Sequence, residues 1–260
     1  MLRMMEVPLV VPEAQPFYLP AGRTGCLLLH GFSANPEEMR WLGDYLNSQG
    51  HTILGVRLAG HGTDPHDMAR TRWTDWLIDV EEGLGILGAT TERVVVVGQS
   101  MGGMIALTAA ARYPVDAVVA ISTPYQIFDQ ELLANLPAIR RRKALERKPA
   151  AAHATLGLRR EADYPAYAAV PVCIYAEVAG LQEALQAALP QVAAPALLIH
   201  SQSDAAVPVA ALQQIYDRLG STRKEMMSLT DFDHSVVRDP KRQVVFERIG
   251  EFIRTLVQED

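Results

Sequence analysis

Three observations predict an α/β fold with a mostly parallel central sheet, flanking helices and a small inserted helical cap. Short β-branched apolar runs alternate with longer segments of helical apolar spacing from about residue 25 to residue 122. The same alternation resumes at residue 196 after a stretch that lacks it. The runs themselves are too apolar for exposed edges, as strands covered by helices on both faces must be.

The elements follow in chain order. Residues 26–29 form the first apolar run. Asn35, Pro36, Glu37 and Glu38 then supply an N-cap, a proline suited to a first helical turn and an acidic start, opening a helix that turns Leu42, Tyr45 and Leu46 inward. Residues 52–56 are the next strand. Trp73, Leu77, Val80, Leu84 and Leu87 recur at steps of four and three, so they line one face of a helix. Four valines at 94–97 mark a strand buried on both faces, followed by a glycine-rich turn, a helix over 101–112 and a strand over 117–122. From 196 the order is strand (196–200), helix (209–219), strand (224–229) and a closing helix carrying Val245, Ile249, Phe252 and Leu256.

Between these halves, residues 124–192 are rich in Ala, Leu and Arg and carry prolines at 137, 149, 165, 171 and 190. This segment reads as a cap of short helices and turns without strand pairs, inserted into a core made of residues 1–123 and 193–260. Its net charge is +1, leaving −7 of the whole-chain −6 on the core. The overall acidity argues against a broad nucleic-acid surface. The cap's basic run, Arg140 to Lys143 with Arg147 and Lys148, reads as a solvated helix face, with attraction to an anionic interface as the sharper alternative.

Two cysteines in 260 residues cannot make a disulfide framework. No stretch approaches the roughly 18 apolar residues of a membrane span, and no signal-peptide core precedes the first strand. The expectation is a cytoplasmic protein without stable membrane insertion.

Chemistry concentrates at Val97-Gly98-Gln99-Ser100-Met101-Gly102-Gly103, a G-x-S-x-G spacing set directly after a buried strand and directly before a helix. A serine on so sharp a turn is pushed out at the carboxyl end of the sheet, and only small residues fit two positions to either side. A serine hydroxyl is a weak nucleophile at neutral pH, so this reading requires a histidine base and a carboxylate to orient it. Asp204, after the 196–200 strand, and His234, between the last strand and the last helix, stand in the required order. In an open α/β sheet residues 100, 204 and 234 all fall at the carboxyl edge. Asp231 and Asp233 are rival acids, but each would have to fold back along its own loop to reach the ring.

Charge developing on a carbonyl oxygen needs two preorganised donors. The N–H of Met101 is the first candidate; the N–H of Phe32, in Leu29-His30-Gly31-Phe32, is the second, with His30 bracing the loop. Other signals weigh less. Gly83-x-Gly85-x-x-Gly88 matches a dinucleotide fingerprint but lies at a helix end before a strand, the reverse of what pyrophosphate binding needs. His61, Asp64, His66 and Asp67 look superficially like metal ligands, but the glycines and Pro65 around them point to a turn.

These residues resemble the α/β-hydrolase superfamily, and more narrowly the bacterial carboxylesterases and monoacylglycerol lipases. The narrower likeness rests on His30-Gly31-Phe32, on Gly60-His61-Gly62-Thr63 with Asp67-Met68 and Arg70-Thr71, on Asp75-Trp76 with Val80 to Gly83, and on Ser100 to Gly103. It implies a serine carboxylic-ester hydrolase that needs no cofactor or metal. Ser100, Asp204 and His234 would be its triad, Phe32 and Met101 its oxyanion donors, and a small ester or monoacylglycerol its substrate. Gln99 departs from the apolar residue often found before the nucleophile. Thioester or carbon–carbon hydrolysis and acyl transfer stay open as uses of the same residues, as does, more remotely, a binding protein without turnover.

Overall fold

The computed structural model describes residues 9–141, 144–147 and 165–258. Its main sheet has seven strands: β1 (Phe17–Leu19), β2 (Thr24–Leu29), β3 (Thr52–Gly55), β4 (Arg93–Gln99), β5 (Ala117–Ile121), β8 (Ala196–Ser201) and β9 (Lys224–Leu229). They lie in the order β1-β3-β2-β4-β5-β8-β9, with every neighbouring pair parallel except β1–β3. The α/β fold with a mostly parallel sheet is therefore as the sequence predicts.

The period of two along each strand divides the interior into two cores. Leu27, Val94, Val96, Val118 and Leu198 face one side, where α3 (Trp73–Gly88), α4 (Met101–Ala110) and α7 (Ile174–Ala188) cover them. Cys26, Leu28, Val95, Val97, Val119 and Ile199 face the other, under α1 (Arg40–Ser48) and the closing helix α9 (Gln243–Gln258). Among the described residues the remaining α-helices are α2 (Pro65–Met68) and α8 (Ala210–Arg218) in the core, with α5 (Gln130–Ala134) and α6 (Leu136–Arg140) between β5 and β8. No helix among the described residues is long and apolar enough to cross a membrane.

Four details differ from the sequence reading. The acidic start at Asn35 opens a 3-10 turn, Pro36–Met39, and α1 begins only at Arg40; the Asn35 side chain still caps, accepting the Glu37 N–H at 3.0 Å. The buried stripe of α3 runs through Trp76, Leu77, Val80, Gly83 and Leu87, while Trp73 and Leu84 are half-buried. Gly83 explains the rotation: a Cβ there would lie 2.7 Å from Leu27, so the helix meets the sheet at a residue that a hydrophobic stripe does not count. Strand β1 is three residues long, too short for a pattern, and is held by Phe17 packing where Gly43 and Gly55 lack side chains. The inserted segment contains a strand pair, β6 (Leu145–Arg147) antiparallel to β7 (Ala169–Pro171), which corrects the expectation of none. All three residues of β6 are exposed and the buried ones of β7, Val170 and Pro171, are adjacent, so no alternation marks these strands in the sequence. Most of the basic run, with the side chains of Arg140, Arg142, Lys143 and Lys148, lies outside the described residues.

Candidate active site

The turn between β4 and α4 is as sharp as its glycines suggest. Ser100 sits at φ 55°, ψ −118°, a conformation that costs an ordinary residue about 1–3 kcal/mol. It is held by the Ser100 N–H donating to the Ile121 carbonyl on β5 (2.7 Å) and by its own carbonyl accepting the Gly103 N–H (2.9 Å). A Cβ on Gly98 would come within 2.1 Å of the Gly102 carbonyl oxygen, and one on Gly102 within 2.2 Å of the Leu29 carbonyl oxygen. The spacing G-x-S-x-G is thus a packing requirement of this turn.

The structure brings Ser100, Asp204 and His234 together from three strand ends. His234 Nε2 lies 2.9 Å from Ser100 Oγ, and the Nδ1–H of the same ring donates to Asp204 Oδ2 at 2.8 Å. The Asp204 carboxylate is fully buried, while the histidine side chain keeps 23% of its surface exposed. Burial alone would raise the Asp204 carboxyl. The hydrogen bond and charge of His234, with the N–H groups of Val207 and Ala206 at 2.9 Å on Oδ1, outweigh it and hold the group below the ordinary carboxylate range. Asp204 is therefore an anion at neutral pH. Of the rival acids, Asp233 folds back on the His234 N–H (2.6 Å), and Asp231, at φ 59°, offers its carbonyl to Lys241 Nζ.

His200 is a partner the sequence reading left unassigned. It is buried at the end of β8, its Nε2–H donating to the Val207 carbonyl (3.1 Å) and lying 3.4 Å from Asp204 Oδ2. Burial lowers its pKa, so it stays neutral beside the aspartate and orders the 201–207 turn without adding charge.

The early loop lies against Ser100, since a Cβ on Gly31 would be 3.5 Å from Ser100 Cβ. The Gly31 N–H donates to the buried carboxylate of Glu38 (2.6 Å) and its carbonyl closes a turn with the Ala34 N–H (3.2 Å). Phe32 and Ser33 occupy the centre of that turn, with Ser33 at φ 61°. His30 braces it as expected: Nδ1–H donates to the Gly31 carbonyl (2.9 Å) and Nε2 accepts the Leu58 N–H (3.2 Å). Burial, then the neighbouring His61, drives the His30 pKa far down, so the ring is neutral. Met101 is the first residue of α4, and an N–H there has no carbonyl one turn earlier within the helix. Glu38 was legible only as part of an acidic turn; its bond to Gly31 leaves no mark on spacing.

The inserted segment reaches this loop through Tyr167. Its N–H donates to the Ser33 carbonyl (2.9 Å), and its hydroxyl accepts the Thr63 N–H (2.7 Å) and donates to the Gly60 carbonyl (3.1 Å). The rings of Phe32, Tyr175 and Phe128 follow one another at 6.3 and 6.1 Å, an aromatic wall that starts at the early loop. His61, Asp64 and Asp67 of the 61–67 stretch have structural partners. The His61 ring meets those of His30 (5.0 Å) and Trp76 (6.0 Å), Asp64 caps the His66 N–H (2.7 Å), and Asp67 pairs with Arg70.

A half-buried serine on a strand-turn-helix elbow, in line with a histidine and an anionic aspartate, is the equipment for nucleophilic attack on an acyl carbon. Comparison with known proteins agrees with that chemistry. The model of the serine aminopeptidase S33 family of hydrolases matches residues 21–241. The thermostable monoacylglycerol lipase of Bacillus sp. (strain H-257) is 33% identical over 258 residues, covering 94% of this chain and 95% of that protein. The carboxylesterase of Bacillus subtilis (strain 168) is 24% identical, covering 95% and 98%. A solved structure from work on the metagenome-derived lipolytic enzymes LipS and LipT superposes with a TM-score of 0.84 at 29% identity, covering 95% of this chain and 99% of that one. Matched over most of its length in each comparison, the chain belongs to the α/β-hydrolase family, in the branch of carboxylesterases and monoacylglycerol lipases.

Proposed function

We propose that the protein is a serine carboxylic-ester hydrolase whose catalytic triad is Ser100, His234 and Asp204. The observation that carries this reading is the continuous relay of 2.9 and 2.8 Å from hydroxyl to imidazole to buried carboxylate. Ser100 Oγ attacks the ester carbonyl while His234 Nε2 takes its proton, and Asp204 stabilises the imidazolium and fixes the tautomer. The N–H groups of Met101 and Phe32 hold the oxyanion. His234 then returns the proton to the leaving alcohol, the acyl group remaining on Ser100. Water, activated by the same ring, releases the acid and regenerates the serine.

Residues 124–192 form the cap, and its aromatic wall of Tyr175 and Phe128 beside Phe32 suits an apolar acyl chain. Substrates are esters of small alcohols, with monoacylglycerols included on the strength of the 33% identical lipase. A cytoplasmic setting is in keeping with two buried cysteines, neither of them in a disulfide.

Replacing Ser100 by Ala tests the assignment. Hydrolysis of nitrophenyl esters and of monoacylglycerol is expected to fall by about 10⁶-fold, to the residual level of oxyanion binding alone, with the melting temperature retained. A variant that keeps more than a few per cent of turnover refutes it. Running acyl-CoA thioesters and alcohol acceptors beside the esters separates ester hydrolysis from the same machinery working on another bond.

A further inference from the structure

Gln99 is fully buried at the end of β4, one residue before the serine. Its alternation along the strand points it to the side of Val95 and Val97, beneath the loop that carries His234. There its Nε2–H donates to the His234 backbone carbonyl at 2.8 Å, across 135 positions of sequence. Its Oε1 is buried with no hydrogen-bond partner.

An orphaned amide oxygen in the interior is a standing cost. An apolar side chain of the same length would avoid it, so stability does not favour glutamine here. The other end of the amide makes a bond that no apolar residue could make, and that bond ends on the residue bearing the base.

We propose that Gln99 is a positioning residue that ties the His234 loop to the strand carrying the nucleophile, and so sets the register between Ser100 Oγ and His234 Nε2. The inference rests on the triad reading above. The loop needs such a tie. It passes through a left-handed residue, Asp231, and a second buried side chain, Ser201 at the end of β8, holds it by donating to the Phe232 carbonyl at 2.6 Å. Both ties rise from strand ends at the carboxyl edge, but only Gln99 adjoins the nucleophile. Ser100 is itself locked to β5 by its N–H. Nucleophile and base are therefore referenced to one rigid strand segment, and the 2.9 Å between them does not depend on how two separate loops drift.

Gln99→Met preserves length and approximate volume while removing both the donor and the orphaned oxygen. A filler role and a positioning role then predict opposite outcomes. For positioning, kcat on a nitrophenyl butyrate ester falls about tenfold and the rate of Ser100 labelling by a fluorophosphonate falls in parallel. KM stays within about twofold, and the melting temperature does not drop. Turnover and labelling within about twofold of the parent overturn the proposal. So does a fall in turnover that tracks a fall in melting temperature. Gln99→Leu, which likewise has no hydrogen to give to the His234 carbonyl, reads the same question should the methionine variant not fold; parental kcat there also overturns it. The parent protein serves as the control for the triad. If it is not labelled on Ser100, the triad reading fails; if it is labelled and Gln99→Met behaves like it, only the role of Gln99 fails.

Discussion

At the scale of single residues, the site is decided by which hydrogen bonds a group can make once water is gone. Asp204 illustrates this: burial raises its carboxyl, yet His234 and two backbone N–H groups lower it further than burial lifts it. Replacing it by Asn keeps the shape but offers an N–H to the ring in one orientation, so the imidazole loses the tautomer that accepts from Ser100. We expect kcat to drop by about 10⁴-fold with little change in KM, measured by steady-state hydrolysis of a nitrophenyl ester. The stability cost has a sign as well. A carboxyl whose folded pKa lies below its ordinary value of 3.8 stabilises the fold above that pH, and the contribution is lost as pH falls through the folded value. Thermal unfolding of Asp204→Asn is therefore expected to lie below that of the parent at neutral pH and to converge with it in acid. A pH-independent difference would contradict the account. Ser100, its glycines and Met101 were all readable as a candidate site because they lie within seven consecutive residues. Asp204 and His234 were readable from chain order alone. His200, Glu38 and the Gln99 contact were not, because hydrogen bonds between distant strand ends leave no periodicity behind.

At the scale of elements, α3 both packs on the sheet and carries the stretch from residue 57 to 63. Asp79 on this helix accepts the Ala59 N–H at 2.6 Å while Trp76 Nε1–H donates to the Ala59 carbonyl at 3.1 Å. Burial pushes the Asp79 carboxyl up to about 6, against the lowering pull of the Ala59 N–H and of Arg57. The folded state thus holds this proton more tightly than the unfolded chain does. Stability is fully supported below the unfolded value of 3.8 and declines as pH rises to about 6. Two pK units correspond to at most about 3 kcal/mol before solvent screening of a half-buried group. Asp79→Asn keeps an oxygen for Ala59 and removes the titration. It is expected to melt higher than the parent near about pH 8 and equally near about pH 4, and an equal offset at both would sink the idea. Hydrophobic spacing located this helix and three of its buried positions, Leu77, Val80 and Leu87, but missed Trp76 and Gly83, the latter because it meets Leu27 with no side chain to signal it.

At the scale of the whole molecule, the inserted segment and the core are tied at the loop that carries Phe32 and Ser33. Tyr167 carries three of these bonds: its N–H to Ser33, and its hydroxyl to the Thr63 N–H and the Gly60 carbonyl. Tyr167→Phe leaves the Ser33 bond and strands the other two partners. Unfolding free energy is expected to fall by about 1–3 kcal/mol, with KM for long-chain esters rising more than for short ones as the aromatic wall loosens. An unchanged KM ratio between chain lengths would show that this tie serves folding alone.

Composition and periodicity by themselves determined that this chain builds a helix-covered parallel sheet interrupted once. Burial of apolar runs is a local, additive demand that any fold must satisfy. The tight turn at Ser100 was equally determined, since a strained backbone admits only glycine at its crowded positions. Only the tertiary structure decided which carboxylate serves His234, that β1 and the β6–β7 pair exist, that Tyr167 joins the insertion to the early loop, and that Gln99 reaches the His234 carbonyl. Each of these depends on a few ångströms between residues far apart in sequence. Hydrogen bonds are lost over such distances, while hydrophobic burial, being non-directional, is indifferent to them.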